Sequence, residues 1–358
     1  MKKIFLFLCL ICILLTGCGK ANDKEVLKEF VSKVSGANSY YLSGTMELVN
    51  NEDIYNYNIQ VSYKKDDFYK IELVNVVNDH KQVILRNNEG VYIVTPSLNK
   101  SFKFQSDWPY NNSQVYLLSS LMDDINNDEN RKFEKTNDGY IFTSAVNYPN
   151  NEKLVSQKVY FGNDYLPKKV IVLDTEGNEQ IKMIFDKIDL RTEFNDTYFD
   201  LSSIMDTNND IKVKDNSGSV TNNAGGENQE PNSNENTDDK TKQTATIDDI
   251  IYPMYLPVNT YLTSTERVNT DDGERLILTF SGDSPFVLME QVAEYSEIPE
   301  IISTYGSPEL VGSSLAVVND NSANWFDNGV EYYIVSDVIK TDELLDVVRS
   351  ISVLPVSK

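Results

Sequence analysis

The run Tyr55-Asn56-Tyr57-Asn58-Ile59-Gln60-Val61-Ser62-Tyr63 decides the fold class of this chain. Apolar and polar residues alternate along it without a break, and successive side chains of a β-strand point to opposite faces of a sheet. One face of the predicted strand is therefore apolar and the other is polar. This pattern is typical of an antiparallel strand that covers a core on one side and contacts solvent on the other.

Similar runs continue on both sides of this stretch. Turn dipeptides separate several of them at hairpin spacing, namely Glu89-Gly90, Asp138-Gly139 and Glu176-Gly177. The pattern predicts an antiparallel meander of about eleven strands. The other predicted strands lie near residues 38–49, 67–74, 82–87, 91–95, 101–105, 131–136, 140–146, 154–161, 168–174 and 179–189.

Two segments have helical spacing instead, with apolar residues three and four positions apart. They are residues 23–35 and residues 113–125. A sheet of this size must curl to bury one face, and two helices are natural lids for its concave side. We therefore predict an α+β fold in which a curled antiparallel half-barrel carries helical lids.

The composition changes abruptly after this region. Residues 206–246 contain no aromatic residue and are rich in asparagine, serine, threonine, glycine and acids, which predicts a disordered polar linker. Residues 247–358 again alternate, with an Asn328-Gly329 hairpin signal and an amphipathic helix from Thr341. The expected organisation is a half-barrel domain at 18–205, the linker at 206–246 and a small acidic α+β domain at 247–358.

The N-terminus has the features of an export signal. Met1-Lys2-Lys3 is basic, and the apolar run from Ile4 to Leu15 is shorter than a membrane-spanning helix requires. Leu15-Thr16-Gly17-Cys18 follows, and this tetrad resembles the bacterial lipobox. The resemblance implies a signal peptide at residues 1–17 and a diacylglycerol on Cys18. The expected location is the outer face of the cell membrane, held by this palmitate-type lipid anchor.

Charge and cysteine content exclude several classes of protein. The chain has 358 residues and a formal net charge of −23, so we expect no nucleic-acid partner. Its three cysteines all lie in the first 18 residues, which leaves no thiol for a disulfide, a zinc site or a nucleophile downstream. Residues 247–358 carry five basic and 19 acidic side chains, a charge that is available to a basic partner.

A search for catalytic and metal-binding motifs gives no candidate. His80 is the only histidine and lies in a polar turn. Asp124, Asn126 and Asp128 have the opening spacing of a calcium loop, but Glu129 replaces its glycine and the twelfth position is a lysine. We therefore predict no enzyme, no catalytic residue, no metal site and no cofactor. The enzyme alternative would require a carboxylate site that forms only in three dimensions.

The apolar face of the predicted sheet is the remaining candidate site. Its side chains could line a cavity for an acyl chain or for the hydrophobic segment of a partner. They could equally form an ordinary core beneath the helices, and the sequence leaves both readings open. The candidate pocket residues are Leu42, Met46, Tyr57, Ile59 and Val61.

Several short motifs carry a family resemblance. Tyr165–Lys169, Asp174–Gly177, Ile184-Phe185 and Thr197–Leu201 resemble the closing strands of the LolA/LolB-like lipoprotein carrier fold, over residues 23–205. Residues 323–332 are similar to the small domain of sporulation lipoproteins from Gram-positive, clostridium-like bacteria. RseB-type periplasmic regulators have a comparable plan of two domains.

The resemblance implies a binding role. Germination lipoproteins of a related clostridial group support a cortex-modifying amidase and are not catalysts. By this resemblance we expect a non-enzymatic lipoprotein of the cell envelope that binds a protein partner, such as that amidase, or a lipid-like ligand. Sporulation or spore germination is the expected process. The alternative is an RseB-like sensor that regulates an envelope-stress anti-sigma factor.

Overall fold

The computed structural model describes residues 22–50, 53–105, 108, 112–205, 247, 249–270 and 273–351. The predicted signal peptide at 1–17, the predicted lipidation site Cys18 and the predicted linker at 206–246 lie outside these residues. Within the described chain, no helix combines the length and the apolar composition that crossing a membrane requires.

The described elements are mainly strands. The helices are α1 (Asp23–Ser35), α2 (Leu118–Asn127), α3 (Leu201–Met205) and α4 (Thr341–Arg349). The first strands are β1 (Ser39–Asn50), β2 (Asp53–Lys64), β3 (Phe68–Asn75), β4 (Lys81–Asn87), β5 (Gly90–Thr95), β6 (Lys100–Phe104), β7 (Lys132–Lys135), β8 (Gly139–Ala145), β9 (Leu154–Gly162), β10 (Pro167–Asp174) and β11 (Glu179–Asp189). The later strands are β12 (Thr260–Thr270), β13 (Gly273–Gly282), β14 (Phe286–Val292), β15 (Glu300–Thr304), β16 (Ser307–Val311), β17 (Ser314–Val318), β18 (Ser322–Asp327) and β19 (Val330–Val335).

The chain divides into two compact units. The first unit comprises residues 1–80, 86–89 and 107–195, and the second comprises residues 81–85, 90–106 and 196–358, as far as these are described. The domain limits expected at residues 205 and 247 remain a prediction.

The sheet of the first unit is antiparallel throughout. Its strand order is β3-β2-β1-β11-β10-β9-β8-β7, so β1 pairs with both β2 and β11. Opposite residues in an antiparallel pair point to the same face. Met46 lies opposite Tyr57 on one side and Met183 on the other, and Leu42 lies opposite Val61. This register forms one continuous buried face across the strands.

Both predicted helices lie on this buried face. Helix α1 begins where the side chain of Asn22 accepts a hydrogen bond of 2.9 Å from the Glu25 amide, and its Phe30 packs edge-on against Phe161 of β9. Helix α2 begins at Leu118, five residues later than the helical spacing predicts. The residues before it form a turn, because the Ser113 amide bonds the Asn147 carbonyl and the Ser120 hydroxyl accepts from the Gln114 amide.

The second unit contains a second antiparallel sheet, in the order β12-β13-β14-β19-β18-β17-β16. Helix α4 contacts β16 and β18 and buries the stripe formed by Leu344, Leu345 and Val348. Strands β5 and β6 also belong to this unit and pair antiparallel, while β15 pairs parallel to β6. The prediction of an α+β fold with helices on an antiparallel sheet, followed by a smaller α+β part, is confirmed.

Candidate functional site

An open cleft of about 820 Å³ lies in the first unit. Helix α2 supplies much of its lining, because its apolar residues Leu118, Leu121 and Ile125 are buried and its polar side faces the cleft. The described lining residues are Asp67, Tyr69, Arg86, Asn112, Ser119, Ser120, Asp123, Asp124, Asn127, Asp128, Glu129, Asn130, Ala145, Val146 and Asn147.

Asp124 is the most deeply embedded acid of this lining. One carboxylate oxygen accepts a hydrogen bond of 3.0 Å from the Ser113 hydroxyl, and the other accepts one of 2.9 Å from the Gln157 side-chain amide. Burial raises the pKa of Asp124 to about 6, while these two hydrogen bonds act in the opposite direction. Both oxygens are therefore committed to donors of the protein, and the side chain ties helix α2 to strand β9.

An aromatic pair and an arginine form another part of the cleft. The Tyr69 hydroxyl lies 3.4 Å from the Ser119 hydroxyl, and the ring of Trp108 meets the Tyr69 ring edge-on at 6.3 Å. Burial raises the pKa of Tyr69 to about 12, so this phenol stays protonated at neutral pH. Arg86 donates hydrogen bonds to the Trp108 carbonyl and, at 3.4 Å, to the Asp67 carboxylate.

The charge of the lining is strongly unbalanced. Among the described residues that line the cleft, five carry carboxylates and one, Arg86, carries a positive charge. Asp123 and Glu129 are exposed, so their charges face solvent. A concave surface of one sign concentrates counter-charges from solution. This cleft therefore attracts cationic groups.

The five predicted pocket residues lie elsewhere in the first unit. They share the buried face of β1 and β2, and none of them is among the residues that line the cleft. Their side chains are between 0% and 2% exposed, so they are packed against neighbouring atoms in this structure. The proposal that they form a ligand pocket remains a prediction. These residues are Leu42, Met46, Tyr57, Ile59 and Val61.

Two of the rejected calcium-loop residues, Asp124 and Asp128, have structural roles. One oxygen of Asp128 accepts a hydrogen bond of 2.8 Å from the Asn130 amide, and the other accepts one of 2.9 Å from the Ala145 amide. These bonds fix the segment after helix α2 against the end of β8. Among the described residues, no group of three or more histidine, cysteine, aspartate or glutamate side chains has the geometry to hold a metal ion.

The cleft was not predicted from the sequence, although polar residues on the apolar faces of two strands indicated a buried polar network. Gln157 and Ser144 are buried polar residues at positions of β9 and β8 whose neighbours along the same face are apolar. Buried polar groups normally have hydrogen-bond partners. Such interruptions of an apolar face indicate an inward polar network, and here that network includes Asp124.

Comparison with known proteins gives two sequence matches. The protein-family model described as "Sporulation protein YdcC-like" matches residues 1–199. The sporulation protein YdcC of Bacillus subtilis (strain 168) is 30% identical over 339 residues, which cover 94% of this chain and 93% of that protein.

Solved structures give weaker matches. The Pseudomonas aeruginosa MucA/MucB complex aligns at 11% identity with a TM-score of 0.31, covering 92% of this chain and 98% of the matched chain. The CwlD amidase of Clostridioides difficile in complex with the GerS lipoprotein aligns at 20% identity with a TM-score of 0.28, covering 49% and 98%. The LolA superfamily protein NE2245 of Nitrosomonas europaea aligns at 10% identity with a TM-score of 0.29, covering 50% and 98%.

The sequence matches bear directly on the predicted relationship to sporulation proteins. The family match spans more than half of the chain, and the Bacillus relative aligns over nearly its whole length. Both confirm that relationship. The chain belongs to the family of YdcC-like sporulation proteins.

Proposed function

We propose that this protein is a non-enzymatic, lipid-anchored envelope protein that binds a protein partner during sporulation or spore germination. The observation that carries the proposal is the open acidic cleft beside helix α2. Its volume of about 820 Å³ and its excess of carboxylates suit a cationic segment of another protein. Membership in the sporulation family supports the assignment to this developmental process.

The anchor in this proposal comes from the sequence. Leu15-Thr16-Gly17-Cys18 follows a short apolar run and resembles a lipobox. A diacylglycerol on Cys18 would hold the protein on the outer face of the membrane, since each buried methylene contributes about 0.8 kcal/mol. The partner would then be a protein of the same envelope compartment.

The hydrogen bonds that the carboxylates of the cleft accept favour binding over catalysis. A general acid or base must have an oxygen available to the substrate. Both oxygens of Asp124 and both oxygens of Asp128 accept hydrogen bonds from the protein itself. The acids that project freely, Asp123 and Glu129, are exposed to solvent, where their charges suit recognition of a cationic surface.

A protein partner is also favoured over an acyl chain. The candidate pocket residues on β1 and β2 are at most 2% exposed, so an acyl chain could reach them only if the core opened. The cleft, in contrast, is open in its present form and is lined by five carboxylates. The cortex-modifying amidase implied by the family resemblance is the first partner to test.

The proposal is tested by capturing partners with the full-length protein from sporulating cells. The variant Asp123→Asn with Glu129→Gln removes two exposed carboxylates of the cleft. Its matched control, Glu134→Gln with Asp138→Asn, removes two exposed carboxylates that do not line the cleft. We expect the cleft variant to lose partner binding about fivefold or more and to become less sensitive to salt, because charge attraction is removed.

Deletion of the gene completes the test. A defect in spore formation or germination together with recovery of an envelope partner supports the proposal. Equal partner recovery by the cleft and control variants, or a normal spore phenotype, contradicts it. A change in envelope-stress transcription without a spore defect would instead support the RseB-like sensor role.

A further inference from the structure

Strand β15 forms an edge of the β-structure in the second unit. It pairs parallel to β6 on one side and stands at the end of its strand order. Several bonds fix that side: the Glu300 amide donates to the Asn99 carbonyl at 3.0 Å, and the Gln105 amide donates to the Thr304 carbonyl at 3.1 Å. Lys100 also forms an ion pair of 3.3 Å with Glu300. The strand is thus held rigidly along one edge.

The other edge carries unused backbone groups. In a parallel pair, alternate residues direct both their N–H and C=O groups to the same neighbour. Glu300 and Thr304 face β6, so Ile302 does as well, whereas Ile301 and Ser303 direct their backbone groups away from it. Because β15 ends the strand order among the described residues, two donors and two acceptors point outward.

Apolar side chains flank this edge and are open to solvent. Ile298 is 77% exposed, Ile301 is 49% exposed and Tyr305 is 70% exposed. Large apolar side chains that are exposed close together on a surface mark an interaction site. Backbone pairing along β15 would bring a new strand within reach of these side chains.

The stretch of chain that contains β15 carries charge of one sign, while Lys100 and Lys103 lie on the paired side, on β6. Residues 276–339 contain ten acidic side chains and no lysine, arginine or histidine. Glu294 and Glu297 are exposed immediately before the strand. A segment that pairs with this edge therefore lies close to carboxylates, and residues 276–339 supply no cation that would compete with it. This charge favours lysine or arginine in the partner segment.

The other described edge strands are protected against pairing. Strand β7 has only four residues and carries exposed Lys132 and Lys135, and β16 contains Pro308. Lysines, prolines and short length are the usual means of blocking an edge. Strand β12 is long, but a bulge between Leu262 and Ser264 interrupts its register. Strand β15 is also short, at five residues, but it contains no lysine, proline or bulge and carries the exposed Ile301, so it is the edge best suited to pairing.

We propose that the free edge of β15 binds an extended segment of a partner protein in which basic and apolar residues alternate. The segment would add to β15 as a further strand, with its backbone paired to Ile301 and Ser303. Its apolar side chains would contact Ile298, Ile301 and Tyr305, and its cations would meet Glu294 and Glu297. This surface is separate from the cleft of the first unit and does not depend on the function proposed for it.

The test uses the full-length chain in detergent and a short N-acetylated peptide in which lysine alternates with valine. A peptide of glutamate alternating with valine is its control. We expect the lysine peptide to bind about tenfold more tightly than the glutamate peptide. Its binding should also slow hydrogen exchange at the amides of Ile301 and Ser303 about tenfold, measured by mass spectrometry.

Two variants block the edge in different ways. Ser303→Pro removes an N–H that points outward and leaves the bonds to β6 intact, as proline on an edge strand allows. Ile301→Lys places a repelling charge on the edge. The control Val338→Lys adds the same charge at another exposed aliphatic position of the second unit. Both edge variants should weaken peptide binding about tenfold, and the control should not.

Three results would overturn the proposal. The first is equal binding of the two peptides. The second is unchanged peptide binding by both edge variants. This includes the result that only the cleft variant, Asp123→Asn with Glu129→Gln, binds the peptide more weakly. The third is protection of the Ile301 and Ser303 amides that rises with protein concentration without peptide, because a second copy of this chain would then occupy the edge.

Discussion

The carboxylate of Asp124 accepts a hydrogen bond of 2.9 Å from the side-chain amide of Gln157, which joins helix α2 to strand β9 at the cleft. The Gln157 amide also donates to the Ser144 hydroxyl on β8 at 3.4 Å. The network therefore connects a helix with two adjacent strands through side chains alone. Its removal should loosen the lining of the cleft and leave the apolar core in place.

Substitution Asp124→Ala should lower the free energy of unfolding of the first unit by about 2 kcal/mol, because the Gln157 amide and the Ser113 hydroxyl lose their acceptor. Asp124→Asn should cost less, since its carbonyl oxygen still accepts one bond. Urea unfolding followed by Trp108 fluorescence in a Trp325→Phe background measures the effect. The exposed neighbour Asp123→Asn is the control, and an equal loss in both variants would contradict the structural role.

The second unit should lose stability as pH rises through neutrality. Glu290 is fully buried opposite Tyr332, and burial raises its pKa to about 7. The folded state therefore binds a proton that the unfolded state releases at lower pH. The free energy of unfolding should fall by about 2 kcal/mol between about pH 5 and pH 8.

Substitution Glu290→Gln should flatten this pH dependence, because an amide stays neutral at every pH. Its carbonyl oxygen can still accept the hydrogen bond of 3.3 Å from the Ile251 amide. Trp325 fluorescence in a Trp108→Phe background reports the unfolding of this unit. The exposed Asp337→Asn is the matched control. If the free energy of unfolding of Glu290→Gln falls with pH as steeply as that of the unsubstituted protein, Glu290 is not the source of the pH dependence.

Gly44 should tolerate no side chain. It lies where the register of β1 and β11 shifts, and an added Cβ would stand 2.0 Å from the Ile184 carbonyl oxygen. Gly44→Ala should therefore destabilise the first unit by about 2 to 3 kcal/mol, since backbone must move. Gly177→Asn is the control, because a Cβ there meets no atom within 4 Å and asparagine is among the residues that best tolerate the positive φ of 86° at this turn. Thermal unfolding of the two variants compares them directly, and equal midpoints would refute the steric argument.

Truncation after Met205 should expose one side of β6. The amides of Ser101 and Lys103 face β15, so removal of β15 should speed their hydrogen exchange about tenfold or more. Exchange at Val61, on strand β2 of the first unit, should change far less. Unchanged exchange at Ser101 and Lys103 would indicate that residues 18–205 form a complete domain on their own.

The lipid anchor is tested at the cysteine itself. Cys18→Ser should move the protein from the membrane fraction to the soluble fraction and abolish labelling by radioactive palmitate. Cys12→Ser is the matched control, because residue 12 belongs to the predicted signal peptide. Membrane association and labelling that survive Cys18→Ser would disprove the anchor.

The strands that alternate cleanly could be predicted from the sequence, because one face of each is buried and the period of two is then enforced. Strand β15 could not be predicted. It follows Pro299, is mostly exposed and owes its conformation to pairing with β6, a contact between distant parts of the chain. The cleft could not be predicted for the same reason, since Asp124 meets Asp67 and Arg86 only when helix α2 packs on the sheet.

The pairing of β6 with β15 also constrains the order in which strands can pair during folding. The hydrogen bond from Ser101 to Glu300 spans 199 positions. Contacts over such separations form slowly, and a strand whose partner does not yet exist leaves its edge open to wrong neighbours. Until residues 300–304 become available to fold, β6 has no partner on that side. Its edge is therefore open to wrong pairing for longer than the strands of the first unit, whose partners all end by residue 189.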